Sequence, residues 1–169
     1  MNYCTVCNSD LIKINNFVNK CSRCLFLKSN LKPGVGRDIE GLTELRKKNF
    51  QEIIKIIKKI DSSNNNKIKI LEIGSGGGYF IEECQKNNIQ IIGSEPNEDE
   101  VNLLKKKFSY ILKIKFPLHD IDIKKIEKYD YVVFNDVFEH LDDLNTVINQ
   151  LKFFLKNNGK IIINLPSSD

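Results

Sequence analysis

The chain lacks any apolar run approaching the roughly 20 residues needed to cross a bilayer, and nothing in it looks like a signal peptide. Both absences favour a protein of the reducing cytoplasm with no membrane partner. A large excess of one charge sign is also missing, since the net charge is +4 over 169 residues. Lysine, asparagine and isoleucine are abundant throughout, so coding bias explains the basic balance as well as nucleic-acid binding does.

The sequence has no internal repeat, and no Gly-Lys-Ser/Thr follows its glycines as it would in a phosphate-binding P-loop. A length of 169 residues suffices for one domain with a hydrophobic core and a small appendage. The function therefore has to be sought in local patterns rather than in composition.

The first pattern is an apolar strand that leads into three glycines at alternate positions, Gly74, Gly76 and Gly78. Glu72 lies two residues before the first of them. Glycine suits the close approach of a ligand because no Cβ intervenes and a positive φ costs little. The pattern predicts a cofactor-binding loop at the end of a strand.

A helix-like segment at 79–87 and a second short strand at 89–93 follow, and the acid Glu95 lies about 20 residues beyond the first glycine. A ribose-binding acid belongs there in a βαβ nucleoside-binding unit. The dinucleotide fingerprint needs a further glycine where Tyr79 stands, so the fit to NAD is imperfect. A tight strand-to-helix turn in some other α/β protein is the alternative without a ligand.

Glu72 and the three glycines resemble E-x-G-x-G-x-G, the first motif of class I S-adenosylmethionine-dependent methyltransferases. In that family the backbone passes close under the methionine part of the cofactor, and the acid after the second strand binds both ribose hydroxyls. The resemblance implies S-adenosyl-L-methionine as the cofactor. The residues it implies for this part of the site are Glu72, Gly74, Ser75, Gly76, Gly78, Glu95 and Pro96.

The segment 129–141 resembles the fourth-strand motif of small-molecule methyltransferases, whose strand ends in N/D-x-x-x-E-H-L. Apolar residues recur at helical spacing over 144–155, with the sequence 157–159 as the expected helix stop. A fifth strand is predicted over 160–165, after a segment similar to the family's L-K-P-G-G turn.

Asn135 and Asp136 end this fourth strand, and by the resemblance they contact the cofactor or position the acceptor. His140 lies just beyond, near the carboxyl ends of the strands where ligands of such sheets bind, and it is the candidate catalytic base. A base is needed only when the methyl acceptor is a hydroxyl or a carbon acid. Capping a turn and contacting the cofactor are the alternative roles of His140.

Two further candidates come from the resemblance alone. The segment 41–46 is similar to a G-L-T-x-L-R sequence that precedes a long helix in zinc-ribbon methyltransferases of sugar and polysaccharide biosynthesis, so Arg46 would face the cofactor carboxylate. A solvated helix face is the alternative for this arginine. In related folds the loop after the third strand contacts the adenine, which makes Asp120 a candidate acceptor for the adenine amino group.

The second pattern is a pair of Cys-x2-Cys sequences formed by Cys4, Cys7, Cys21 and Cys24, with a predicted hairpin between them. Four thiolates on two tight turns match the tetrahedral geometry of structural zinc, and this layout is that of a zinc ribbon. Two disulfides are the alternative, but they would leave the fifth thiol, Cys84, unpaired. Cys84 is interpreted as a buried packing residue in the helix after the glycine loop.

The resulting fold class is α/β: a Rossmann-like doubly wound sheet of order 3-2-1-4-5 with helices on both faces, plus a small N-terminal zinc ribbon. The domains are predicted as a ribbon at 1–29, a connector and helix at 30–66, and a methyltransferase core at 67–169. Family members ordinarily continue into a sixth and seventh strand, so the resemblance implies a core truncated after the fifth. The fifth-strand edge could then pair with a second copy.

Three functions are compatible with these patterns. The leading one is methyl transfer to a small molecule, such as a sugar or nucleotide-sugar in polysaccharide biosynthesis, as the resemblance of ribbon and core implies. The second is RNA methylation with the ribbon gripping phosphates, which the lack of aromatic residues between the ribbon's basic residues disfavours. The third is a non-catalytic or partner-dependent module that binds S-adenosylmethionine.

Overall fold

The computed structural model describes residues 3–31, 42–62, 68–118 and 127–166. Two sheets organise this part of the chain, an antiparallel sheet of three strands and a parallel sheet of five. The two sheets correspond to the predicted ribbon and the predicted core.

The small sheet has the strand order β1-β2-β3. Its strands are β1 Leu11–Lys13, β2 Val18–Cys21 and β3 Leu27–Ser29. In the β1–β2 turn the side chain of Asn15 accepts two backbone N–H groups, each at 2.8 Å. Such an Asx-type turn forms the hairpin that the sequence predicts.

The large sheet has the order β6-β5-β4-β7-β8, with every neighbouring pair parallel. Its strands are β4 Lys69–Ile73, β5 Gln90–Glu95, β6 Ile111–Lys113, β7 Tyr129–Asn135 and β8 Leu155–Asn164. The helices are α1 Leu42–Ile60, α2 Tyr79–Lys86, α3 Glu98–Lys105 and α4 Leu144–Leu151, with a 3-10 turn at Phe138–His140. The predicted order 3-2-1-4-5 and the Rossmann-like fold are confirmed.

Helix α1 packs against one face of the large sheet. Its buried residues Phe50, Ile53, Ile54 and Ile57 recur at helical spacing. The Phe50 ring meets the ring of Phe80 on α2 edge-on, with 5.4 Å between the centroids. This packing anchors α1 against α2 and the core.

The end of α4 differs from the sequence expectation. The helix ends at Leu151, and β8 already begins at Leu155, which pairs with Tyr129 before a shift of register. The predicted helix stop at 157–159 therefore lies inside a strand. Leu155 fits the helical spacing, but its long-range pairing with β7 outweighs this local preference.

None of the helices in the described ranges is long and apolar enough to cross a bilayer.

Replacing Ile57 by Ala should lower the free energy of unfolding by about 2–5 kcal/mol, because it leaves a cavity in a fully buried part of the core. Ile56→Ala, one position along the same helix, is the matched control, since Ile56 is 54% exposed. The control should change stability by no more than about 0.5 kcal/mol. Denaturant unfolding of both variants measures the difference, and equal losses would contradict the placement of this helix face.

Candidate cofactor site

The glycine loop makes a sharp turn at the end of β4. Gly74 has a φ of 72°, and a Cβ built on it would lie 2.5 Å from a methyl carbon of Val137. Gly76 has a φ of 51°, but a Cβ there would meet nothing within 4 Å. Gly74 is therefore required by the packing of the loop against the end of β7, whereas Gly76 leaves open space above the backbone.

Hydrogen bonds tie this loop to the end of β5. The N–H groups of Gly74 and Ser75 both donate to the carbonyl of Ser94, at 2.9 and 3.0 Å. The Ser75 hydroxyl accepts the N–H of Ser94 at 3.1 Å, and the Glu95 carboxylate accepts the N–H of Gly76. The predicted ribose-binding acid is thus held directly beside the glycine loop.

A cavity of about 590 Å³ opens at this edge of the sheet, within the size range of ligand sites. Ten of the twelve residues predicted for cofactor binding or catalysis line it: Arg46, Glu72, Gly74, Ser75, Gly76, Glu95, Pro96, Asn135, Asp136 and His140.

Glu72 and Asn135 face the cavity from neighbouring strands, β4 and β7. The Asn135 amide donates to Glu72 Oε1 at 2.9 Å. Within the described residues, Glu72 Oε2 and Asn135 Oδ1 have no hydrogen-bond partner, although both side chains are buried. Burial raises the pKa of Glu72 to about 7, although the bond from Asn135 favours its charged form. Two buried acceptors without a donor are costly, and a ligand that brings N–H groups would relieve that cost.

Arg46 and Asp136 form an ion pair at the cavity wall, with 3.5 Å between Arg46 Nε and Asp136 Oδ2. Asp136 has a φ of 54°, which is unfavourable for a residue other than glycine. Its N–H donates to the carbonyl of Asn164 at the end of β8, at 3.0 Å. The hydrogen bond to β8 therefore helps to hold Asp136 in a strained conformation, in which its carboxylate contacts Arg46 on α1.

His140 lies in the 3-10 turn at the cavity rim, and its side chain is 54% exposed. Its Nε2 is 3.9 Å from Glu139 Oε1, beyond hydrogen-bond distance. The imidazole can therefore reach a molecule that enters the cavity. Its role as a base stays a prediction.

Two predicted cofactor-binding residues do not line the cavity. Gly78 is the N-cap of α2, just before its first residue, and has a φ of 80°. A Cβ there would lie 2.4 Å from the Phe108 ring, so backbone conformation and packing both require glycine at this position. Asp120 lies outside the described residues. For both residues, a role in cofactor binding remains a prediction.

One wall of the cavity was not predicted from the sequence. It is formed by residues on α3 and just after it: Glu100, Leu103, Leu104 and Lys107. Their spacing of three, one and three residues places them on one helix face. This spacing is the sequence pattern from which the wall could have been predicted. The helix dipole accounts for acids in the first turn of α3, but it does not account for the position of Glu100 at the cavity.

The four ribbon cysteines converge on one point, and their sulfur atoms all lie within 4.8 Å of one another. Cys4 Sγ is 3.6 Å from Cys24 Sγ, and Cys7 Sγ is 3.4 Å from Cys21 Sγ. Sulfur atoms at the corners of a tetrahedron about 2.3 Å from a zinc ion are roughly 3.8 Å apart, so the spacing fits a metal of this size. The four residues could thus hold a metal ion.

A glycine loop followed by a strand-end acid, both at the carboxyl edge of a parallel sheet, defines a nucleoside-binding protein of the Rossmann-like class. Comparison with known proteins narrows the class. Residues 45–169 match a family model described as a methyltransferase domain, and the chain belongs to that methyltransferase family.

Curated relatives and solved structures agree with this membership. The bovine mitochondrial ubiquinone biosynthesis O-methyltransferase is 31% identical over 103 residues, which cover 57% of this chain and 28% of the relative. The malonyl-[acyl-carrier protein] O-methyltransferase of Halalkalibacterium halodurans is 27% identical over 139 residues, which cover 77% of this chain and 51% of the relative. The chain thus spans about half or less of the length of these two relatives.

Among solved structures, an S-adenosylmethionine-dependent methyltransferase from Archaeoglobus fulgidus has a TM-score of 0.51 and 24% identity, covering 73% of this chain and 58% of that one. A sugar N-methyltransferase from a Streptoalloteichus species has a TM-score of 0.58 and 10% identity, and the match covers 83% of this chain and 59% of that one. At these identities the likeness establishes the fold, which is that of class I methyltransferases.

The ionisation of Glu95 predicts a pH-dependent affinity for S-adenosylhomocysteine. Burial, with the Glu100 carboxyl nearby, raises the pKa of Glu95 from 4.5 to about 7. With Glu95 in its predicted ribose-binding role, two ribose hydroxyls would donate best to its carboxylate, so affinity should rise by up to about tenfold between about pH 6 and about pH 8. The contribution to folding has the opposite sign: it is fully present below about pH 4.5 and is lost as the pH rises through about 7.

Calorimetric titration across this pH range measures the affinity. Glu95→Gln should remove the part of the rise that comes from Glu95, and Glu72→Gln measures the part that comes from the other cavity carboxyl of raised pKa. A rise that persists unchanged in Glu95→Gln would show that a different group titrates.

Proposed function

We propose that this chain is the cofactor-binding core of an S-adenosylmethionine-dependent methyltransferase that acts on a small molecule. The observation that carries the proposal is the pair of buried acceptors, Glu72 Oε2 and Asn135 Oδ1, which line the cavity without a donor. A nucleoside alone offers nothing cationic for such a pair. S-adenosylmethionine carries an ammonium group on its amino-acid end, and that group supplies the charge and the N–H donors.

The remaining lining residues match the other parts of the same ligand. Glu95 would accept hydrogen bonds from the ribose hydroxyls beside the glycine loop. The open space above Gly76 would admit the methionine part of the ligand. Arg46 would bind the carboxylate of the amino-acid end, with Asp136 holding the guanidinium at the cavity wall. The apolar face of Leu103 and Leu104 suits the adenine ring.

When bound, the cofactor would supply a methyl group on a sulfonium: the acceptor would form a bond to that methyl carbon while the S–CH3 bond breaks, and the neutral thioether S-adenosylhomocysteine would leave. The protein groups then have to align the acceptor, exclude water and, where the acceptor is a hydroxyl, remove one proton. His140 lies at the rim of the cavity with its imidazole exposed, and it is the residue proposed to take that proton. Asp136, on the same wall, would help to position the acceptor.

The names of the similar proteins support a small acceptor. They include ubiquinone biosynthesis O-methyltransferases and a sugar N-methyltransferase. A sugar or nucleotide-sugar remains our proposed substrate class. The free thiols of all five cysteines are consistent with a reducing cytoplasm, where we propose that the protein works.

We further propose that the four ribbon cysteines hold a structural zinc ion. With four protein ligands no coordination position would remain for a substrate, so the ion would stabilise the ribbon and take no part in the chemistry. Backbone N–H groups already point at the sulfurs, from Val6 to Cys4 Sγ and from Cys24 to Cys21 Sγ, each at 3.4 Å. Such bonds stabilise negative charge on thiolates.

The cofactor assignment predicts how binding depends on the ligand. S-adenosylhomocysteine should bind, NAD should not, and 5′-methylthioadenosine, which lacks the amino-acid end, should bind more weakly. Arg46→Gln should weaken S-adenosylhomocysteine by about tenfold or more, because a charge-assisted bond is lost, and should leave methylthioadenosine unchanged. Calorimetry measures each affinity. Equal losses for both ligands would remove Arg46 from the carboxylate site, and NAD binding in place of the adenosyl ligands would refute the proposed function.

The zinc assignment predicts that Cys21→Ser reduces bound zinc from about one ion per chain to nearly none. The ribbon should then lose its structure, because metal binding supplies most of the folding energy of so small a module, while the core remains folded. Elemental analysis and amide exchange measure the two effects. Cys84→Ala, a change in the buried core, is the control that should retain the metal, and a Cys21→Ser protein that still binds zinc would disprove the four-cysteine site.

A further inference from the structure

The first cysteine turn of the ribbon touches the core at helix α4. The side-chain amide of Asn145 donates to the backbone carbonyl of Thr5 at 2.8 Å. Thr5 lies between Cys4 and Cys7, whereas Asn145 is the second residue of α4, 140 positions further along the chain. This hydrogen bond connects the four-cysteine cluster to the methyltransferase core.

The peptide unit that receives this bond also serves the metal site. Its carbonyl belongs to Thr5 and its N–H to Val6, and that N–H donates to Cys4 Sγ at 3.4 Å. In a trans peptide the C=O and N–H groups point in opposite directions. One rigid peptide plane is therefore held by the core on one side and by a metal-ligating sulfur on the other.

On the core side, Asn145 belongs to the turn that begins α4. Asp143 caps this helix, with Oδ1 accepting the N–H of Thr146 at 3.1 Å and the backbone carbonyl accepting the N–H of Val147 at 2.9 Å. The cap follows closely on the segment from Asp136 to His140, which contributes three residues to the cavity wall. The ribbon thus meets the core at Asn145, five residues after His140 at the cavity rim.

We propose that Asn145 is a positioning residue of the four-cysteine site, supplied by the core, and that it couples metal binding in the ribbon to the order of the first turn of α4. A side chain that orients a group bonded to a ligand raises metal affinity without touching the metal. The coupling is reciprocal. If the Asn145 hydrogen bond raises metal affinity by some factor, metal binding stabilises the first turn of α4 by the same factor.

The inference rests on the metal site proposed above, and the experiment separates the two. Zinc affinity is measured by competition with a chromophoric chelator, and amide exchange at Thr146 and Val147 is measured with and without zinc. Three variants are compared with the unaltered chain. Asn145→Ala removes the donor, Asn145→Asp keeps the shape without the donor, and Asn149→Ala changes an exposed asparagine one turn further along α4.

In the unaltered chain and in Asn149→Ala, zinc should slow exchange at these two amides by about threefold to tenfold, the range expected for one hydrogen bond. In both Asn145 variants the slowing should vanish, and zinc affinity should fall by a similar factor. Exchange in β4 should be the same in all four proteins, which confirms that each is folded.

Zinc affinity and zinc-dependent protection that stay within twofold of the unaltered chain in Asn145→Ala would overturn the inference while leaving the metal site intact. Failure of the unaltered chain to bind zinc at all would overturn both, and elemental analysis identifies that case directly.

Discussion

The central position of β4 brings the candidate ligand groups at the strand ends together. It pairs in parallel with β5 on one side and β7 on the other, and because all three strands run the same way, their carboxyl ends meet at one edge. Glu72, Glu95 and Asn135 come from three different strands, yet they reach one cavity for this reason. The glycine loop adds the second requirement, since a side chain at Gly74 would collide with Val137 and push the end of β7 away.

This arrangement brings two carboxyl groups into a buried site, where burial disfavours their charged form. Glu72 and Glu95 are both buried, and burial holds the pKa of each near 7 instead of in the usual carboxyl range. At the cavity wall, Arg46 is already paired with Asp136. Such a site is poorly satisfied on its own and well suited to a ligand with a positive charge and several donors, which is the physical case for the proposed cofactor.

Local patterns predicted the parts of the molecule that depend on backbone conformation. The glycines, the strand-end acid and the paired cysteines each require a particular residue type at fixed spacing, so the glycine loop, the position of Glu95 and the sulfur cluster could be anticipated. The strand order was expected from the family resemblance. The start of β8 could not, because Leu155 fits a helical pattern and only its pairing with Tyr129 makes it a strand. The contact of Asn145 with Thr5 joins residues 140 positions apart, and no periodicity signals such a pair. The positive φ of Asp136 likewise goes with a long-range hydrogen bond, which its N–H donates to the carbonyl of Asn164 at the end of β8.

Cys84 has a consequence for the chemistry of labelling. Its side chain is fully buried, and burial raises the pKa of its thiol, so it stays protonated and out of reach of alkylating reagents while the core is folded. The other four cysteines all belong to the ribbon. A thiol reagent applied to the native chain therefore reports on the ribbon alone, and the appearance of the fifth reactive sulfur marks the opening of the core. The chain carries a separate chemical readout for each of its two sheets.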